Sequence, residues 1–195
     1  ICCDTGLMGA PIDGVFDPEI FAAFDCDPYL TLHPESVLVA VNSEGEVVGY
    51  LLGCLDTASH NRSMTKIYIK AVLKLLKKVL TFQVPIGKVL NLARFGIEVR
   101  RPDFSNDYPA HFHINIKDGY RDEGIGSALV SQFVDILQRD GIGGAHGSVI
   151  SDRAGDFFEK LGFVSVYESK RRNYLEKEFT LRIFGRKVMP LIRKA

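Results

Sequence analysis

The chain has 195 residues, 46% of them hydrophobic, and its 24 lysines and arginines are balanced by 24 aspartates and glutamates. A chain of this size buries one core of ordinary extent, and zero net charge removes the global field that draws a protein to nucleic acid or an anionic membrane. No apolar run approaches the ~20 residues of a membrane span. The cysteines Cys2, Cys3, Cys26 and Cys54 match neither a zinc ribbon nor a dense disulfide framework, so a soluble cytoplasmic protein with reduced thiols is expected.

Up to Pro34, the turn pairs Asp13-Gly14, Asp17-Pro18 and Asp27-Pro28 surround a short apolar segment, Ile20 to Phe24, which predicts one or two small helices. From Ser36 onward, SVLVAVN and EVVGYLLGCL are β-rich runs joined by Ser43-Glu44-Gly45 and read as a hairpin. Between Thr65 and Leu80 the spacing predicts an amphipathic helix. Lys66, Lys70, Lys74, Lys77 and Lys78 share one third of the wheel, and Tyr68, Ile69, Val72, Leu73, Leu75, Leu76, Val79 and Leu80 fill the other side, with Ile67 as the misfit. The expectation is a helix packed on its own domain with a solvated lysine face, rather than one lying on a membrane. Loop or a short helix follows through Tyr108 and Pro109.

AHFHINI, from Ala110 to Ile116, reads as a buried strand, and Ser127 to Gln138 as a helix stopped by Gly141. HGSVI is a further strand, Ser151 to Leu161 a helix ended by Gly162, and FVSVYE and EFTLRIF are two final strands. Between the first strand and helix of this series lies GYRDEGIGSALV, Gly119 to Val130, a glycine turn opening into a helix. Such a turn offers backbone N–H groups and the positive end of a helix dipole to an anion. The dinucleotide pattern G-x-G-x-x-G fails at Leu129, and no G-K-[ST] follows, so neither a dinucleotide-binding loop nor a P-loop is present.

RDEGIG, Arg121 to Gly126, fits every fixed position of [QR]-x-x-G-x-[GA], the pyrophosphate loop of the GNAT superfamily of N-acetyltransferases. FFEKLGF, Phe157 to Phe163, resembles that family's second signature. The order of hairpin, strand, glycine loop, helix, strand, helix and LGF extends the resemblance over roughly residues 36 to 184. VVGYLLGCLDT and YPAHFHINI also resemble a branch related to GNAT-like domains fused to some glycoside hydrolases. The resemblance implies a single α/β acyl-CoA-binding domain over residues 1–195. Its mixed central sheet would have splayed parallel strands flanked by helices, with a helical insertion at about 58–108.

In the family, acetyl-coenzyme A lies where two parallel strands part. Here the main chain of Ile114, Asn115 and Ile116 would hold the pantetheine arm. The N–H groups of Asp122, Glu123, Gly124, Ile125, Gly126 and Ser127 would take the pyrophosphate, with Arg121 nearby and Ser151, Phe157 and Phe158 lining the site. The implied activity is acetyl transfer from acetyl-CoA to an amine of a small molecule or protein, by direct attack on the thioester; no metal and no nucleic acid are implied. The resemblance leaves room for a homodimer.

The family's tyrosine acid falls on Phe158, which has no proton to give, so Tyr108, Tyr167 and Tyr174 stand as substitutes, or the thiolate leaves unaided, or the chain is an acetyl-CoA or CoA-binding module with a sensing or interaction role. For the base, His111 and His113 share one strand face and titrate in the useful range. Relatives place such a base in the phase of Ala110 and Phe112, which points the two histidines to the opposite face unless a bulge intervenes. Asp56 and Thr57 are alternatives. His-x-His alone lacks the third ligand a metal needs.

Overall fold

The computed structural model describes residues 1–6, 11–98, 100–172 and 178–191. Three short helices open the chain, α1 (Cys2–Thr5), α2 (Pro18–Asp25) and α3 (Asp27–Leu32), followed by a 3-10 turn at Pro34–Ser36. Asp17 starts α2 by accepting from the N–H of Ile20 at 3.0 Å, with Pro18 at the first helical position, where its missing N–H costs nothing. The hairpin of β1 (Val37–Val41) and β2 (Val47–Cys54) forms as expected. Asn42 organises its turn, its side-chain oxygen accepting from the N–H groups of Glu44 and Glu46 at 3.0 and 2.9 Å.

The lysine-rich segment differs from expectation in extent and in orientation. Helix α4 runs Thr57–Leu80, beginning eight residues before Thr65, because the Asp56 side chain caps it by accepting from Ser59 N at 2.9 Å. The side turned to the domain is His60, Met64, Ala71 and Leu75, with Ile67 half-buried among them. Tyr68, Ile69, Val72, Leu73 and Leu76 face solvent. Lys78 packs against the domain, paired with Asp17 at 3.2 Å and with Glu19, while Lys74 also pairs with Glu19. Leu75 packs on Ile20 of α2 and Val84, with the ion pairs flanking the contact, so the edge of the helix and not its broad apolar arc meets the body. A second helix, α5 (Ile86–Glu98), occupies what the pattern left as loop or short helix.

The remaining elements are β3 (Ala110–Ile116), α6 (Ile125–Asp140), β4 (Gly144–Val149), α7 (Asp152–Lys160), β5 (Val164–Arg172) and β6 (Glu178–Lys187). They complete a six-stranded sheet in the order β1-β2-β3-β4-β6-β5. β3 and β4 are parallel; every other neighbouring pair is antiparallel. One face carries the main core, where Phe112, Leu129, Phe133, Leu137, Phe158, Phe163 and Phe184 pack beneath α6 and α7. The other face carries Tyr29, Tyr50, Leu52 and Cys54, covered by the N-terminal helices. Among the described residues, no helix is long and apolar enough to cross a membrane.

Candidate active site

The sheet is open in the middle. β3 and β4 are registered at two positions, Ala110 with Ala145 and His111 with His146. Beyond them β3 stays with β2 as far as Ile116 and β4 stays with β6 as far as Val149, so the parallel strands part like a fork. Lys117 N donates to Val48 O at 2.8 Å, which sets the alternation of the β2–β3 ladder. By that alternation His111, His113 and Asn115 turn their main-chain groups to β2, and Phe112, Ile114 and Ile116 turn theirs into the fork. The carbonyl of Ile116, on the fork side, accepts from Arg121 Nε at 3.2 Å. Asn115 therefore leaves the expected set for the pantetheine arm: its backbone serves the sheet, and its side chain donates to Tyr50 Oη at 2.8 Å.

The glycine loop closes the open end of the fork. Gly119, Asp122 and Gly124 all have positive φ, 90°, 67° and 80°. Glycine takes this conformation without a steric penalty, and aspartate is among the few other residues that tolerate it. The first α6 bond is Ala128 N to Gly124 O at 3.0 Å, and among the described residues the N–H groups of Asp122 through Ser127 donate to no protein acceptor. Six main-chain donors at the N-terminus of a 16-residue helix form an anion cradle.

A Cβ on Gly126 would stand 3.1 Å from the Phe157 ring, so the loop packs closely on α7 at that point. Asp122 is held by Arg153 at 2.7 Å. Arg121 braces the loop instead of reaching into the cradle, bonding Ile116 O and pairing with Asp118 at 3.5 Å.

Phe158 plugs the base of the fork. Its ring is stacked on Phe112 at 5.5 Å, with an interplanar angle of 2°, and is buried against Phe163 and Phe184. Its para carbon lies 2.9 Å from where a Cβ on Gly147 of β4 would stand. Ser151 caps α7, accepting from Ala154 N at 3.3 Å. Neither described substitute tyrosine enters the fork: the Tyr108 ring lies over Gly185 and Lys187 of β6, and Tyr167 sits on edge strand β5 beside Phe104. Tyr174 lies outside the described residues.

On the face beneath α3 and α4, all five histidines of the chain meet around Tyr29. β3 pairs with β2 without a bulge, so His111 and His113 do point away from the core phase of Ala110 and Phe112. That phase is filled by hydrocarbon packing, and the histidine face is the one built by the N-terminal segment. His111 is buried with both ring nitrogens engaged, Nε2 with Tyr29 Oη and Nδ1 with Thr57 Oγ1, each at 2.7 Å. His33 and His60 bond each other at 3.0 Å, and His146 Nδ1 bonds the Tyr108 carbonyl at 2.9 Å. His113 has ring contacts with Tyr29 and His111 but, among the described residues, no hydrogen-bond partner. It is half-buried and on the mouth side of His111.

Burial lowers the pKa of each of these histidines, most strongly at His111, and holds that of His60 down to about 4. Asp56 is exposed at the helix cap. Sequence patterns gave no signal for Tyr29, His33, His60 or Arg101. Arg101 donates to Ser148 Oγ of β4 at 3.0 Å, and its charge opposes protonation of His60, His111, His113 and His146.

Two groups bring donor atoms within 4.8 Å of one another, His33 with Cys54 and His60, and Cys2 with Asp25 and Cys26. In the first, His33 Nε2 and His60 Nδ1 bond each other and burial pushes the Cys54 thiol up to about 12.

The histidine cluster makes stability acid-sensitive. His60 titrates near 6.5 when unfolded and about 4 when folded, so the unfolded chain binds the extra proton between those values. Its contribution is complete above pH 6.5 and is lost as pH falls toward 4, by roughly 1–3 kcal/mol. Thermal melts should show Tm falling across this window and levelling above it; His60→Gln should flatten that dependence.

No protein-family profile matches the chain. Its structure is similar to that of SsHAT, with a TM-score of 0.64 and 23% identity over 96% of this chain and 90% of that one. It is also similar to Ard1 from Thermoplasma volcanium, with a TM-score of 0.51 and 17% identity over 84% and 76%. An acetyltransferase of the GNAT family from Streptococcus pneumoniae aligns with a TM-score of 0.46 and 16% identity over 78% and 65%. With its parallel strands parted ahead of a glycine loop and helix, the chain has the GNAT-like fold.

Proposed function

We propose that the chain is an N-acetyltransferase that takes an acetyl group from acetyl-CoA and passes it to an amine by direct attack on the thioester. The observation that carries this is the coincidence of two main-chain sets, the fork edge of β3 at Ile114 and Ile116, which among the described residues has no strand partner, and the N–H cradle from Asp122 to Ser127. An extended arm ending in a diphosphate satisfies both, the arm as an added strand and the diphosphate at the helix N-terminus. Acetyl-CoA, when bound, supplies an acetyl group activated as a thioester.

The chain's own residues supply the rest. The fork-side main chain at Ile114 and Ile116 offers fixed N–H donors to negative charge on the carbonyl oxygen. An alkyl ammonium titrates near 10 and must lose a proton before or as its nitrogen attacks. His113 is our choice of base, because its ring nitrogens have no hydrogen-bond partner among the described residues and burial keeps it neutral at neutral pH. His111, locked between Tyr29 and Thr57, positions the Tyr29 ring on which His113 rests. The ammonium first gives one proton to solvent; as the neutral amine's C–N bond forms and the C–S bond breaks, its second proton passes to His113 and the departing thiolate takes a proton from solvent, since Phe158 has none to give. Asp56, committed to the α4 cap, is set aside as base.

Phe158 also favours a second reading, a module that binds acetyl-CoA or CoA for sensing or docking without turnover. Release of free thiol from acetyl-CoA in the presence of an amine panel separates the two: amine-dependent release supports transfer, and saturable binding without release supports the module. Phe158→Tyr should keep or raise the rate of thiol release, since its hydroxyl would extend from a ring already seated in the fork. A sharp fall with unchanged circular dichroism would place departure of the thiolate elsewhere.

A further inference from the structure

The exposed side of α4 is apolar where a monomer should be polar. Tyr68, Ile69, Val72, Leu73 and Leu76 are between 44% and 60% exposed and recur at helical spacing along one face. The surface continues around the end of the helix through Leu80, Phe82 and Ile86, with Phe82 at 95% exposure. Contiguous apolar surface of this kind marks an interaction site.

Charge selects the occupant. Residues 57–98 hold eight lysines and arginines against a single glutamate, although the whole chain is neutral. Lys66, Lys70 and Lys77 border the apolar arc, and among the described residues none has an acidic partner; the nearby Glu19 is already engaged by Lys74 and Lys78. A second copy seated on this face by a two-fold axis would bring both sets of lysines together, with no acidic residue in either α4 to offset them. A bilayer rich in anionic phospholipid offers hydrocarbon to the arc and negative charge to the lysines at the same depth.

We propose that the α4 face and the turn leading to α5 dock the protein on an anionic membrane surface, with the helix lying in the interface.

The 195-residue chain should co-sediment with vesicles containing about 30% phosphatidylserine or phosphatidylglycerol, and only weakly with pure phosphatidylcholine. Ile69→Glu/Leu76→Glu, at two exposed positions, should abolish binding without changing circular dichroism or Tm. Lys66→Glu/Lys70→Glu/Lys77→Glu, or raising the salt to 0.5 M, should lower partitioning to anionic vesicles at least about tenfold. Equal binding to neutral and anionic vesicles, or none to either, would overturn the assignment. So would a dimer in analytical ultracentrifugation that Ile69→Glu/Leu76→Glu dissociates and vesicles do not compete away; a second copy would then own the face. None of these outcomes depends on acetyl-CoA.

Discussion

Replacing Gly124 and Gly126 together by alanine is expected to weaken acetyl-CoA binding by more than about 100-fold. Gly124 sits at φ 80°, where a Cβ costs roughly 1–2 kcal/mol, and relaxation of that strain turns the N–H groups of Ile125 and Gly126 out of the cradle. A methyl on Gly126 meets Phe157 at 3.1 Å and presses the loop away from α7. Each hydrogen bond to a charged group is worth about 1.5–3 kcal/mol, so losing two accounts for the loss of affinity. The fold should survive with Tm lowered by several degrees, because neither glycine lies in the core beneath α6. Calorimetric titration of the double variant checks this, and unchanged affinity would remove the loop from the site.

His113→Ala is expected to lower kcat by about 100-fold or more, the usual contribution of a positioned base. With its pKa lowered by burial, wild-type His113 loses its capacity as a base only as pH falls below the ordinary histidine range, so kcat/KM should rise through a pKa under 6.5 and then level. That limb should disappear in His113→Ala. By contrast, His111→Ala should act chiefly on stability, since it strips partners from buried Tyr29 and Thr57. A His113→Ala profile that keeps the acidic limb would assign the base to another group.

The parts of this site that depend on local chemistry were legible in the sequence. RDEGIG lies between a strand and a helix as the pattern required, and Ser151 and Gly141 bound their helices as cap and stop. Within β3, alternation alone separated the phase of His111 and His113 from that of Phe112. What stayed hidden depends on tertiary arrangement. His33, His60 and His146 are far apart in the chain and meet His111 only because α3, the start of α4 and β4 converge on one face. Helix α4 was misoriented because apolar residues cover well over half of its wheel. Periodicity found that arc, but the tertiary contact of Leu75 with Ile20 and Val84, flanked by ion pairs from Lys74 and Lys78 to α2, fixes which edge is buried. Arg101 lies in a segment without periodicity and reaches the site only through the fold.

The central claim is that the fork and cradle hold acetyl-CoA, and calorimetric titration of the purified protein with acetyl-CoA, with NAD and ATP as controls, tests it most directly. Saturable 1:1 binding of acetyl-CoA and none of either control is the predicted result. Absence of acetyl-CoA binding, or equal binding of all three, would contradict the account and leave a GNAT-like fold whose glycine loop serves another purpose.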